Sequence, residues 1–391
     1  MKRLIIFAAI SFLFAPWVFS QSTDGIIAEV ESNNSTLAAL RKKADAERIG
    51  NKTGLTLKNP ELEFNYLWGN PEAIGKRNDI SIIQSFDFPT AYAYRNQISE
   101  LRNIQVELEF ESQRREILLR ARQLCNSIIY HNAMQAELGR RVENARRLND
   151  SYEAKFKAGE AGIIDVNKAR VNLLNVRKDA ESNVIKKQAL LAELVSLNGG
   201  KPVELTDTVY PLQALPADFE EWYAGAEQNN PLLQWLKQEV SVNRKDEQLS
   251  LAMGLPRFQA GYMSEKVVGE QYQGISFGIA IPILENRNQV KYAKARTVAV
   301  QSAESDARLR FYNDLKALHA RAVSLRKSLD DYRQNLQVYS STSLLQKALD
   351  QGELSLAEFL YEQTFYYESF NKLTATEKEL YDAVAELNRY R

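Results

Sequence analysis

The sequence predicts a mainly helical fold built twice over, with a small β part in each half. Three observations carry this. One helical stretch is far longer than an ordinary globular helix, two pairs of segments alternate apolar and polar residues, and the whole plan recurs later in the chain at a near-constant offset.

The chain begins with Met1-Lys2-Arg3 and an apolar run from Leu4 to Phe19, the charged start and apolar core of a signal peptide spanning residues 1–20. The run is short of the ~20 residues a membrane span needs, and no cysteine follows it to carry a lipid anchor. Farther on there is no apolar stretch of ~18 residues that would cross a bilayer as a helix. The mature chain is therefore expected outside the cytoplasm without a helical anchor, a condition that leaves a β-barrel open.

Asp24 to Ile49, rich in Ala, Glu, Arg and Lys, reads as a helix. Asn59-Pro60 then opens a strand at about 61–68, with Leu62, Phe64, Tyr66 and Trp68 on one face and Glu61, Glu63 and Asn65 on the other. A loop with Gly69, Pro71 and Gly75 leads to a second strand at about 80–88. Its apolar row is Ile80, Ile82, Phe86 and Phe88, set against Ser81, Ser85 and Asp87, with Gln84 and Ile83 out of pattern. Period-two alternation joined by turn residues is a hairpin.

The long helix follows, free of proline from Ala91 to Ala158 with Gly139 as its one glycine. At 1.5 Å per residue it would run to roughly 100 Å. It turns through Gly159-Glu-Ala-Gly162 into a return arm with heptad rows Val166, Leu173, Ala180, Leu194 and Ala169, Val176, Leu190, Leu197, broken at Asn183 and Lys187. Such spacing means packing as a coiled coil.

The plan then repeats. Asn33-Asn34 matches Asn229-Asn230 and Asn59-Pro60 matches Leu255-Pro256, both at an offset of 196, while Phe88-Pro89 matches Ile281-Pro282 and Gly159-Glu160 matches Gly352-Glu353 at 193. The second pair of strands is expected at about 257–263 and 274–283, the latter with Ile275, Phe277, Ile279 and Ile281 opposite Gly274, Ser276, Gly278 and Ala280. Phe359, Tyr366, Leu373, Leu380 and Leu387 recur every seven residues in the second return arm. The chain thus divides into a first repeat over 21–210, with its helical hairpin at about 91–198, and a second over 211–391, with its hairpin at about 286–390. The Gly- and Pro-bearing stretch Asn198 to Pro216 links them.

Composition excludes several functions. Lys+Arg and Asp+Glu each number 50, so no basic excess points to nucleic acid. The two histidines, His131 and His319, sit inside long helices in opposite halves, and no phosphate loop, nucleophile elbow or metal-spaced cluster occurs. Cys125 is alone and reads as a buried helix residue. With 4 methionines there is no thioether path for soft metals. Neither an enzyme nor a cofactor or metal site is expected.

Four apolar-faced strands are too few to close a barrel, and open sheet edges do not occur in lipid. Three copies would supply twelve strands, an even number within the bacterial range. Phe64, Tyr66, Trp68, Phe86, Phe88, Tyr262 and Phe277 would then face lipid. The alternative is a small soluble sheet covering one end of the helices. The two turns also admit two accounts. Glycine ending a helix and an acid in the next first turn suit helix capping, or they form the mouth of a tube gated by carboxylates.

In the duplication, the Asn-Pro before the first strand, the segment Gln84-Ser-Phe-Asp-Phe-Pro89 and the twin turns at Gly159 to Ala169 and after Gly352, the chain resembles the outer-membrane efflux protein family, the TolC-type trimeric tunnels. The metal-efflux branch is somewhat nearer by chain length and the Gln84-to-Pro89 segment. The resemblance covers nearly all of the mature chain. It implies a homotrimer with a barrel in the outer membrane and a helical tunnel in the periplasm, docked on a periplasmic adaptor protein and an inner-membrane pump of RND type. By the motif match Asp165 and Glu358 fall at the channel aperture, with Tyr361 where a further acid often stands. Gly159, Gly162 and Gly352 fall at the tips that adaptors contact. Two rivals are a periplasmic coiled-coil adaptor, which would have one hairpin and more β modules, and a structural envelope protein, which would not need apolar-faced strands.

Overall fold

The computed structural model describes residues 22–211, 214–284, 286–338 and 342–390, so the signal-peptide segment 1–20 lies outside the described residues. The helix expected from Asp24 to Ile49 is two helices, α1 (Thr23–Asn33) and α2 (Ser35–Gly50). Between them Asn34 is extended, and its side chain accepts a hydrogen bond from the Leu37 amide at 2.8 Å. An N-cap satisfies an amide that has no partner within the helix, and its extended backbone interrupts the helix before it. Helices α3 (Pro89–Lys157) and α4 (Ile163–Leu197) complete the first half's helical part.

In the second half α5 (Phe219–Asn229) and α6 (Pro231–Met253) are separated in the same way. Asn230 accepts from the Leu232 and Leu233 amides at 2.9 and 3.4 Å, and Pro231 holds the first helical position, where a missing N–H costs nothing. The paired asparagines at offset 196 are one structural device used twice. The helices α7 (Gln289–Val338), α8 (Thr342–Asp350) and α9 (Leu356–Leu387) follow, with residues 339–341 outside the description.

Four strands form one antiparallel sheet in the order β1-β2-β3-β4: β1 (Glu61–Trp68), β2 (Lys76–Phe86), β3 (Arg257–Val267) and β4 (Glu270–Ala280). Five strand boundaries differ from expectation, at both ends of β2, the end of β3 and both ends of β4. Strand β2 starts earlier and ends at Phe86, so Phe88 is not a strand residue. Pro89 begins α3 three residues after the strand ends, and the Phe88 ring instead packs on Phe258, centroids 6.4 Å apart. Strands β3 and β4 extend to a two-residue turn at Val268-Gly269 in place of a longer loop, while β4 ends before Ile281. The polar residues Glu265, Lys266, Gln271 and Gln273 continue the ladder there, where apolar alternation no longer marks it.

The chain packs as two compact units, each drawing on both repeats. The first contains α1, residues 121–157 of α3, α4, α8 and α9 to Lys378. Its α3–α4 seam buries Val166, Ala169, Leu173, Val176 and Leu194 as the heptads predict. The exception Asn183 is buried too. Its amide donates to the His131 carbonyl at 3.0 Å, and its oxygen lies 2.7 Å from His131 Nδ1. A second polar pair, Arg141 and Glu137, is buried at 2.9 Å, with the guanidinium 4.0 Å from the Tyr367 ring centre. The second unit contains α2, the sheet, residues 89–120 of α3, α5, α6, α7 and the end of α9. There Arg41 grips Glu107 through two bonds of 2.8 and 3.0 Å.

Candidate functional site

Strand register decides what each face of the sheet carries. Phe64 pairs with Ile80, Leu62 with Ile82, Ile82 with Tyr262, Phe86 with Phe258, Tyr262 with Ile275 and Ala260 with Phe277. Opposed residues in a ladder share a face. Leu62, Phe64, Tyr66, Trp68, Ile80, Ile82, Phe86, Tyr262, Ile275, Phe277 and Ile279 therefore make one continuous apolar surface. It is open: Trp68 is 77%, Phe64 62% and Phe277 78% exposed. Phe258, on the same face, went unnoticed in the sequence, although its spacing of four from Tyr262 carries the signal.

The opposite face is mostly polar or small, with Leu67, Ile83, Met263, Val267 and Tyr272 as its larger apolar or aromatic residues. Glu61, Glu63, Asp79, Glu265 and Glu270 stand there with Arg77 and Arg257, and the remainder includes Ser81, Gly261, Gly274, Ser276 and Gly278. Arg77 pairs with Asp79 at 2.8 Å and Glu265 at 3.3 Å. The two outer strands, β1 and β4, have no further ladder partner among the described residues. No helix among those residues is long and apolar enough to cross a membrane.

In the other unit, the two helical tips share one construction. Gly159 has φ +78°, its amide donates to Phe156 O, and the Glu160 amide donates to Lys155 O at 2.8 Å. Gly352 has φ +75°, its amide donates to Leu349 O, and the Glu353 amide donates to Ala348 O at 2.9 Å. This is the Schellman termination, for which glycine is favoured because a side chain is strained at positive φ. A cluster of Leu148, Ala169, Leu349, Leu356 and Phe359 brings both turns together.

Beyond the turns the tips diverge. Gly162 caps α4 without a side-chain bond, and Asp165 pairs with Lys168 at 3.4 Å. Ser355 and Glu358 instead form a capping box: the Ser355 amide donates to Glu358 Oε2 at 2.8 Å and the Glu358 amide to Ser355 Oγ at 3.3 Å. Those bonds hold the Glu358 carboxyl below its usual range. Tyr361, one turn on, is exposed and stacks edge-on against Phe365 at 4.8 Å. His319 bonds the Pro216 carbonyl, Cys125 is buried with its thiol pushed up to about 12 by desolvation, and no metal-ligand cluster occurs among the described residues.

No family model and no curated protein matches the sequence. Solved structures do. The CmeC outer membrane channel of Campylobacter jejuni aligns at TM-score 0.80 and 14% identity, covering 94% of this chain and 85% of that one. A membrane protein from Pseudomonas aeruginosa aligns at 0.80 and 14%, covering 94% and 89%. The open state of the MtrE outer membrane channel of Neisseria gonorrhoeae aligns at 0.74 and 12%, covering 95% and 88%. The chain has the fold of these proteins, two of which are described as outer membrane channels. Long helices with a four-stranded sheet are thus one architecture with theirs, reached through a sequence that shares about one residue in seven.

Proposed function

We propose that this chain is the outer-membrane channel component of a tripartite efflux system in a Gram-negative bacterium, a passive trimeric conduit reaching from the periplasm across the outer membrane. The observation that carries the reading is the sheet, apolar and exposed on one face, polar on the other, and open at both edges. In hydrocarbon each unsatisfied backbone group costs several kcal/mol, so four strands from one chain do not insert alone. Three chains joined edge to edge, β4 of one copy on β1 of the next, close a barrel of twelve strands. Phe64, Tyr66, Trp68, Phe86, Tyr262 and Phe277 then meet lipid, and the acidic face lines the lumen. Phe88, beyond the strand, belongs to the lower rim.

The likeness to proteins described as outer membrane channels supports the same reading. The helices then stand in the periplasm, and the turns at Gly159, Gly162 and Gly352 meet a periplasmic adaptor protein. An inner-membrane pump of RND type supplies the energy, so the chain itself performs no catalysis and needs no cofactor. Asp165 and Glu358 lie at the aperture, where Glu358 caps its helix as well. The cargo is metal ions, drugs or other small molecules, selected by the pump.

Membrane fractionation with chemical cross-linking tests the assembly. A trimer in the outer-membrane fraction is expected. A stable monomer spanning that membrane, or a chain recovered only in the soluble periplasm, would overturn the proposal.

A further inference from the structure

The acids of the four strands all stand on one face of the sheet. By register, Lys76 and Lys266 are the charged residues of the apolar face of the four strands, and no acid stands on it. Both lie at the turn end. Trp68 pairs with Lys76, Tyr66 pairs with Asn78, and Asn78 pairs in turn with Lys266. The lysines are therefore diagonal neighbours beside two aromatic rings, and Lys76 Nζ lies 5.9 Å from the Tyr66 ring centre. At the opposite end the same face closes on Phe86, Phe258 and Ile279, without a charge.

The lysines, Trp68 and Asn78 border an open groove of about 810 Å³, along which Glu72 is the one acid. The groove is built by two touching turns. A Cβ on Gly75 would fall 2.0 Å from Val268 Cγ2, so the loop after β1 and the β3–β4 turn meet where a side chain does not fit. The turn end is the end of the sheet away from the helices, because α2, α3, α6 and α7 all join the strands at the other end.

A lysine on a lipid-facing strand is costly unless its ammonium reaches the interface, and the interface end is where both lysines occur. Escape from hydrocarbon alone would admit carboxylates at the rim equally well. We propose that this rim binds the phosphate groups of phosphorylated, multiply acylated lipids of the outer leaflet. The acyl chains lie along Phe64, Ile80 and Tyr262, and the phosphates meet Lys76 and Lys266. This inference rests on the reading that the sheet spans the outer membrane.

The test uses the full-length trimer, the K76Q/K266Q variant and the charge-keeping K76R/K266R variant. Binding of diphosphorylated lipid A and of the same lipid with its phosphates removed is measured by native mass spectrometry. Each cation near an anionic membrane surface contributes ~1 kcal/mol, about fivefold in affinity. K76Q/K266Q is therefore expected to bind the phosphorylated lipid about 25-fold more weakly, to bind the dephosphorylated lipid unchanged, and to be rescued by arginine. Equal binding of both lipids by the wild type, or a preference that survives in K76Q/K266Q, would overturn the inference. So would displacement of the lipid by inorganic pyrophosphate, which would mark a site for free anions. Protease protection of the strands in vesicles is read alongside. A wild type that inserts without phosphate preference fails this inference alone, whereas one that does not insert fails the channel reading with it.

Discussion

The sheet and the helical tips handle their apolar residues in opposite ways. At the tips, Leu349, Leu356 and Phe359 are buried within the chain at 3–5% exposure, and each turn closes its own hydrogen bonds. In the sheet, Trp68, Ile275 and Phe277 stay at least 76% exposed, and the outer edges of β1 and β4 have no ladder partner among the described residues. Burying one such side chain contributes about 1.5–3 kcal/mol, so the sheet leaves a large stabilisation to be supplied from outside the chain. A single copy can finish its tips. It cannot finish its sheet.

The largest effect that would break this comparison is a charge on the open face. Phe277→Arg is expected to destabilise the inserted barrel by about 2–4 kcal/mol if the side chain lies near the bilayer midplane. Gly278→Arg, on the polar face, is expected to be tolerated far better, since a Cβ there meets only the flexible Gln259 at 3.3 Å. Trimer yield in the outer membrane reads both. Equal behaviour of the two would remove the division between the faces.

A smaller effect is expected at the turns. No atom lies within 4 Å of a Cβ built on Gly352 or Gly159, so the penalty of a larger residue is conformational, from positive φ, and not steric. Gly352→Val is expected to destabilise the turn by about 1–2 kcal/mol and to abolish efflux while the trimer and barrel remain. Loss of folding instead would mean that the turn serves only to cap its helix, with no separate adaptor contact.

The smallest and sharpest effect concerns the two acids. Glu358→Ala and Glu358→Gln are expected to lower cation selectivity, read as reversal potential in planar bilayers under a salt gradient, with Asp165→Asn changing it less. An unchanged reversal potential and conductance in Glu358→Ala would leave this acid with its capping role alone. The capping bonds add a pH dependence. Because the folded-state pKa of Glu358 is depressed, its contribution is complete above the ordinary glutamate range and is lost as pH falls through the lowered value. Local opening at Ser355–Glu358, followed by amide exchange, should rise under acid conditions and do so less in Glu358→Gln.

Much of this architecture was legible before any coordinates. Heptads in α4 and the alternation in β1 are periodic signals, and periodicity reports which side of an element is apolar whatever lies beside it. The duplication located both tips. What escaped were breaks made by single residues. Asn34 and Asn230 stop helices through side-chain bonds, one accepted by Asn34 and two by Asn230, and their neighbours in Ser32-Asn-Asn-Ser-Thr36 and Asn229-Asn-Pro231 are themselves residues that favour caps over helix interiors. The outer ladder of β3 and β4 escaped because its polar residues alternate nothing. Glu358 was recognised as an acid in a first turn, but the Ser355-x-x-Glu358 spacing, which is the sequence mark of the capping box, was not used.

By itself the sequence determined the class of fold, the order of its elements and the polarity of each face, because these follow from local propensity and period. Register was decided only in the tertiary structure. Whether Lys76 and Lys266 become neighbours, and whether four short strands share one face or two, depends on how segments some 180 residues apart align, as Ile82 with Tyr262. A shift of one residue would move every side chain of a strand to the other face. The alternation within each strand is indifferent to that shift, and the paired backbone is not.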